Sequence, residues 1–428
     1  MKKCAFLSCL IIVALILGGC RAKQEMPMGE GGGVLLEAPV GQTEQTTENT
    51  PDDKTPDEQE PVTQSSDKTP DKTPQNQTPQ QENSNQQQQP SNSNQNSQSA
   101  VAGMVDLSKD VRFFGRTYEE NGTYFINWTE SGFEFTFNGT GAEATFETNE
   151  TEYPHTPYIR IYVDGKEPGT TVAITDSMQT VTLCSGLKKG THTVRVVKRT
   201  NARSSSLGVM DITLLRNGVI QSPPAAKERR IEFIGDSLTV GYGSLGSSST
   251  KEWSTSTEDG SITYAALAAK ALGADYNVIA ISGRGLAHNT DGDTDKLMPA
   301  LYPMLDEYNN PGVKWDFSKF TPHVIVINLG TNDQNTSSEA EVTAATIAFL
   351  KNIRANNPNA HIIVTYCLGG NKMEGAIKSA VSGVGDTKIS YLALPTATET
   401  VVGHPAKSSH QKAAIVLEAQ IRKVTGWK

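Results

Sequence analysis

The chain has 428 residues, a formal net charge of −9 and 36% hydrophobic residues, enough for about two globular domains plus less ordered segments. Binding a nucleic-acid backbone needs a concentrated basic surface, and the excess of acid argues against such a partner. No cysteine or histidine spacing fits structural zinc, and neither a His-Glu-x-x-His helix nor a Walker-type loop is present, which leaves serine chemistry as the main candidate.

In chain order, Lys2 and Lys3 precede an apolar run from Ala5 to Leu17 that is too short to span a bilayer comfortably and ends at Gly18-Gly19-Cys20. Residues 1–20 therefore read as a targeting segment. Residues 21–99 are dominated by Pro, Thr, Ser, Gln, Asn, Asp and Glu, with almost no aromatics. Such a stretch cannot bury enough apolar surface to offset its conformational entropy, so it is expected to be a disordered, low-complexity tether. Of the remaining cysteines, Cys184 and Cys367 read as buried small hydrophobes rather than a disulfide pair.

Residues 100–222 are expected to form strands. Short β-rich runs such as 132–137, 158–163, 191–197 and 209–215 are separated by turn signals, among them Asp164-Gly165-Lys166. Strands this short and evenly spaced favour a β-sandwich of the jelly-roll kind. Trp128 and Tyr124 are expected to be core aromatics rather than sugar contacts. Pro223-Pro224 marks a boundary. From 226 to 428 the pattern becomes strand and helix in alternation: strands at Arg229–Ile234, Tyr276–Ile281, Val324–Leu329 and His361–Tyr366, helices at Ile262–Leu272, Ser338–Ala355 and Gln411–Val424. That order predicts an α/β domain with a parallel sheet flanked by helices on both faces, where ligands bind beyond the carboxyl ends of the strands.

Four segments stand out: Gly235-Asp236-Ser237-Leu238, Ile281-Ser282-Gly283, Gly330-Thr331-Asn332-Asp333 and His404-Pro405. Their order resembles the SGNH (GDSL-type) hydrolases, and three of them end predicted strands. The phrases Ser282-Gly283-Arg284-Gly285-Leu286 and Trp315-Asp316-Phe317-Ser318-Lys319 look like carbohydrate esterase family 2 in particular, deacetylases that couple a β-sandwich to an SGNH domain. The leader resembles a bacterial lipoprotein signal, which implies that Cys20 is lipidated and anchors the chain outside the cytoplasm. Durable anchoring needs several acyl chains on that cysteine.

The resemblance implies that Ser237 is the nucleophile and His404 the general base, His410 being its nearest rival. It assigns the oxyanion hole to the backbone N–H of Ser237, the backbone N–H of Gly283 and the side-chain amide of Asn332. Asp236 and Asp333 read better as residues that stabilise their loops. At the third triad member the chain departs from the usual pattern: the aspartate usual in the superfamily three residues before the histidine is Val401, and the one often found two before it in family 2 is Val402. A backbone carbonyl is then expected to orient His404, or else Glu399 if the loop folds back. The expected substrate is an acetylated polysaccharide of the xylan or glucomannan kind, attacked without a cofactor or metal, and nothing calls for an obligate protein partner. A glycan-binding surface lipoprotein with a weak or inactive esterase domain, and a deacetylase of the cell's own envelope glycan, remain as alternatives.

Overall fold

A computed structural model describes residues 103–428. The targeting segment at 1–20, its Cys20 and the tether expected over 21–99 lie outside the described residues. Antiparallel strands come first: β1 (Arg112–Phe114), β2 (Tyr118–Glu120), β3 (Thr123–Phe125), β4 (Gly132–Gly139), β5 (Ala142–Glu147), β6 (Tyr158–Val163), β7 (Thr170–Ala173), β8 (Met178–Cys184), β9 (Gly190–Lys198), β10 (Gly208–Leu214) and β11 (Val219–Gln221). They form two sheets, one in the order β1-β4-β9-β6-β7 with β11 added beside β4, the other β2-β3-β10-β5-β8. The period-two geometry of a strand explains the core between them. Along β5, Ala142, Ala144 and Phe146 are buried while their neighbours are not. They meet Phe133, Phe135 and Phe137 of β4 in one apolar cluster.

The second part comprises β12 (Arg230–Gly235), α1 (Ser237–Val240), α2 (Tyr264–Ala271), β13 (Asp275–Ala280), α3 (Met298–Leu301), β14 (Met304–Asp306), β15 (Asn310–Lys314), β16 (Val324–Asn328), α4 (Glu339–Asn356), β17 (His361–Tyr366), α5 (Glu374–Val384), β18 (Ile389–Ala393), β19 (Thr400–Val401), β20 (His404–Pro405) and α6 (Lys407–Thr425). Five of these strands make a parallel sheet in the order β13-β12-β16-β17-β18. Helices cover both faces, as buried parallel strands require. Phe349 and Ile353 of α4 and Ile377 of α5 pack on one face. Ala265 and Ala268 of α2 and Leu417 and Ile421 of α6 pack on the other. The start of α4 is set by a reciprocal capping box between Ser338 and Glu341. Neither α5 nor β18 is expected from the sequence: Gly375 and Gly383 dilute the helical signal, and β18 is a five-residue edge strand without clean alternation.

The two parts meet across a seam of buried polar groups. Arg116, from the loop after β1, is fully buried; its Nη1 donates to the carbonyls of Tyr302 (2.5 Å) and Met304 (2.7 Å), and its guanidinium faces the Glu232 carboxylate on β12 at 3.7 Å. The rings of Tyr302 and Trp315 lie 5.1 Å from its guanidinium carbon. The Trp315-Asp316-Phe317 phrase thus has a structural place, as part of the box around this cation. Trp128 is buried and donates to the Leu305 carbonyl at 2.7 Å, the core position expected of it. Arg160 pairs with Asp259, and Asn127 donates to Asp306 at 2.7 Å. Breaking a buried ion pair strands a charge in low dielectric, at a cost of roughly 3–5 kcal/mol. Arg116→Ala is expected to lose about that much in urea unfolding, while a loss under about 1 kcal/mol would show that the seam relaxes around Glu232.

Candidate active site

Three of the singled-out segments leave the carboxyl ends of adjacent strands: Ser237 follows β12, Gly283 follows β13 and Asn332 follows β16. β12 lies between the other two, so the chain's reversal of direction in the sheet opens a crevice above it. Ser237 is the first residue of α1, whose N-cap is Asp236; the Asp236 carboxylate accepts from the Leu238 N–H at 2.9 Å. Burial, and secondarily the nearby Asp333 charge, pushes the Asp236 carboxyl up to about 7. Asp333 accepts from the backbone N–H groups of Leu286, Ala287 and His288 at 2.7–3.1 Å, which folds the loop after β13 into place.

His404 Nε2 lies 2.8 Å from Ser237 Oγ, and its Nδ1 lies 3.1 Å from the carbonyl oxygen of Val402. A carbonyl only accepts, so this contact places the ring proton on Nδ1 and leaves the Nε2 lone pair facing the serine hydroxyl. Burial lowers the pKa of His404, and the bond to Val402 partly opposes that. The ring of Tyr242 sits 4.2 Å from the His404 ring, and Trp253 stacks on Tyr242 at 5.1 Å, closing one side of the imidazole. Val402 has φ +49 and Gly403 φ +74, so the turn of the hairpin β19–β20 runs through two left-handed residues, the first of them β-branched and strained there.

The residues at the positions of the missing aspartates do other work. The buried Val401 side chain packs against Gly246, where an added Cβ would lie 2.5 Å from its Cγ1. Glu399 is turned away from His404: its carboxylate accepts from Ser408 Oγ at 2.7 Å, near the start of α6.

Ser237, Gly283, Asn332 and His404 all line one cleft of about 240 Å³. Neither the Ser237 nor the Gly283 backbone N–H is taken by a protein acceptor among the described residues. Gly283 has φ +82, a conformation that a side chain would strain. Asn332 Nδ2 donates to the Arg284 carbonyl at 2.9 Å and makes a longer contact with Asp236 at 3.4 Å. Tyr242 and Arg203, which also line the cleft, were not singled out in the sequence. Tyr242 follows Ser237 by one turn and carries a local signal; Arg203 belongs to the β9–β10 loop and carries none. Among the described residues no cluster of three or more His, Cys, Asp or Glu side chains could hold a metal ion.

His410 is removed from the cleft. It is buried on α6, and its Nδ1 accepts from the Tyr264 N–H at 3.3 Å. Burial pushes its pKa down to about 3. The unfolded chain therefore binds a proton near pH 6.5 that the folded chain refuses, so stability present above that pH is lost as pH falls. Between pH 7 and pH 5 this one group accounts for about 2 kcal/mol. His410→Gln is expected to flatten the pH dependence of unfolding free energy in that window by about this amount; an unchanged slope would place the responsible proton elsewhere.

Residues 233–388 match the model of the GDSL-like lipase/acylhydrolase family, and residues 113–224 match that of the carbohydrate esterase 2 N-terminal domain. The chain is 34% identical over 317 residues to cellulase/esterase CelE of Acetivibrio thermocellus, covering 70% of this chain and 38% of that longer protein. It is 31% identical over 277 residues to an acetylxylan esterase / glucomannan deacetylase of Cellvibrio japonicus, covering 61% of this chain and 73% of the relative. The structure of a family two carbohydrate esterase from Clostridium thermocellum, solved in complex with cellohexaose, superposes with a TM-score of 0.69 at 31% identity, covering 74% of this chain and 100% of that one. With both parts matched and 73% of the Cellvibrio relative spanned at 31% identity, the chain belongs to carbohydrate esterase family 2, a family of carboxylic-ester hydrolases.

Proposed function

We propose that this protein removes O-acetyl groups from hemicellulose-type polysaccharides such as xylan or glucomannan, by a serine acyl-enzyme mechanism. The observation that carries the reading is the alignment of Ser237 Oγ, His404 and the Val402 carbonyl beside two unclaimed backbone N–H groups. The names of the Cellvibrio relatives supply the substrate class.

A serine hydroxyl attacks an ester only if its proton has somewhere to go. In the proposed sequence His404 Nε2 takes that proton as Oγ bonds to the acetyl carbon. Charge building on the carbonyl oxygen is met by the N–H groups of Ser237 and Gly283 and by Asn332, whose long contact to Asp236 can give way to it. One such donor is worth about 3 kcal/mol in the transition state. The imidazolium then protonates the departing sugar oxygen, and the C–O bond breaks to leave acetyl-Ser237 and a free hydroxyl. Water, deprotonated by His404, attacks the acyl-enzyme and releases acetate, returning Ser237 to its starting state.

Acetate release from acetylated xylan and glucomannan is expected to disappear in Ser237→Ala. The acid limb of kcat/KM is expected to fall at a pH below 6.5, because protonated His404 cannot accept the serine proton and burial lowers its pKa. Release that persists in Ser237→Ala would overturn Ser237 as the nucleophile, and no release from either would sink the esterase reading and leave a glycan-binding protein.

We also infer that Cys20 is lipidated and holds the protein on the outer face of the cell membrane, the segment 21–99 giving it reach to polymers too large to enter. Cys20→Ala is expected to move the protein from the membrane fraction to the medium; continued membrane association would overturn the anchor.

A further inference from the structure

The strand domain reaches into the cleft through one loop, and that loop is held from both sides. It joins β9 to β10. Lys198 Nζ donates to the carbonyls of Thr200 (3.1 Å) and Asn201 (3.0 Å). Arg199 Nη2 donates to the carbonyls of Thr255 (3.0 Å) and Ser256 (2.8 Å) in the hydrolase part. The Asn201 N–H donates to the buried carboxylate of Glu258 at 2.7 Å. Asn201 Oδ1 in turn accepts from the backbone N–H of Arg203 at 2.9 Å. The base of the Arg203 side chain is thereby fixed before any ligand arrives.

From that base the exposed Arg203 side chain extends along the wall of the cleft that holds Ser237 and His404. Its Nη1 lies 3.3 Å from the Ser282 carbonyl and 3.5 Å from where a Cβ on Gly283 would stand. Among the described residues the guanidinium joins no ion pair. Asp293, a carboxylate that feels its charge, is bonded to Asn289 and stands 3.9 Å from Arg284. One of five N–H donors is thus engaged with a carbonyl, and the planar fork is otherwise available beside the reacting ester. A chain with net charge −9 repels acidic polymers at long range, so a fixed local cation at the site has a selective effect.

We propose that Arg203 is a specificity-determining residue that receives the carboxylate of a uronic-acid branch next to the acetylated sugar. The inference rests on the esterase reading and adds the charge class of its substrate. A guanidinium matches a carboxylate through two parallel N–H···O bonds, which a lysine cannot reproduce. Because the loop is already anchored, little backbone ordering opposes the contact.

The test compares acetylated xylo-oligosaccharides with and without a glucuronic-acid branch, on wild type, Arg203→Ala and Arg203→Lys. The ratio of kcat/KM for branched over unbranched substrate is expected to fall roughly tenfold in Arg203→Ala, through KM, and its salt dependence to vanish. Arg203→Lys is expected to keep the salt dependence and only part of the ratio. An unchanged ratio overturns the proposal, as does a loss of kcat equal on both substrates, which would assign Arg203 to supporting the Ser282–Gly283 turn. Calorimetry with the deacetylated branched oligosaccharide, on Ser237→Ala and on Ser237→Ala/Arg203→Ala, gives a readout independent of turnover. Weaker binding in the double variant supports the inference even if acetate release fails; equal binding overturns it. Absence of acetate release from the unbranched substrate by wild type counts against the esterase reading alone.

Discussion

Charged side chains withdrawn from water must find partners, and here many of those partners lie across the junction between the strand domain and the hydrolase domain. Arg116 meets Glu232, Arg160 meets Asp259, and Asn201 meets Glu258. None of these groups could stay buried in a separated half without losing its counterpart. Burial outweighs the partners that oppose it, Asn201 and Lys198 at Glu258 and the charges of Glu258 and Asp306 at Lys198, and leaves the Glu258 carboxyl pushed up to about 7 and the Lys198 ammonium down to about 7. The position of the β9–β10 loop at the cleft follows from this arrangement, because the same contacts that satisfy the seam also fix the loop.

The proposed hydrolase chemistry depends on a second constraint, the orientation of one imidazole. Three contacts define it: the Val402 carbonyl on Nδ1, the Ser237 hydroxyl on Nε2, and the Tyr242 ring against its face. Tyr242 is itself backed by Trp253. Ring packing restrains tilt and the carbonyl restrains rotation, which in the proposed mechanism is the part a buried carboxylate would otherwise take. The buried Val401 side chain packs against Gly246, and the partner at Nδ1 is the Val402 carbonyl.

Much of the sheet was legible because buried parallel strands are long apolar runs. Val324–Asn328 and His361–Tyr366 stand out from their flanks, and Ser338 announces α4. That the candidate residues after β12, β13 and β16 share one edge of the sheet was legible for a related reason, since glycine-rich turns ending apolar strands mark the carboxyl edge of a sheet. α5 escaped notice because its glycines and serines blur the helical period, and β18 because an edge strand is only half covered. Arg203 could not have been found. Its contact with Ser282 joins residues 79 apart and depends on the seam, which no local pattern encodes.

The turn at Val402 and Gly403 has an effect on what genetics can see. An orienting group carried by the main chain is present whatever side chain the residue bears, so replacing each position of the hairpin by alanine would leave an acceptor carbonyl in place. Under the proposed mechanism a scan of single substitutions would show the serine and the histidine as sharp losses and a blank where a third member is sought. What such a scan can disturb is the left-handed course of the two residues, and a proline there would reposition the oxygen rather than delete it. The third partner of the proposed mechanism is inherited as a backbone conformation, not as a letter of the sequence.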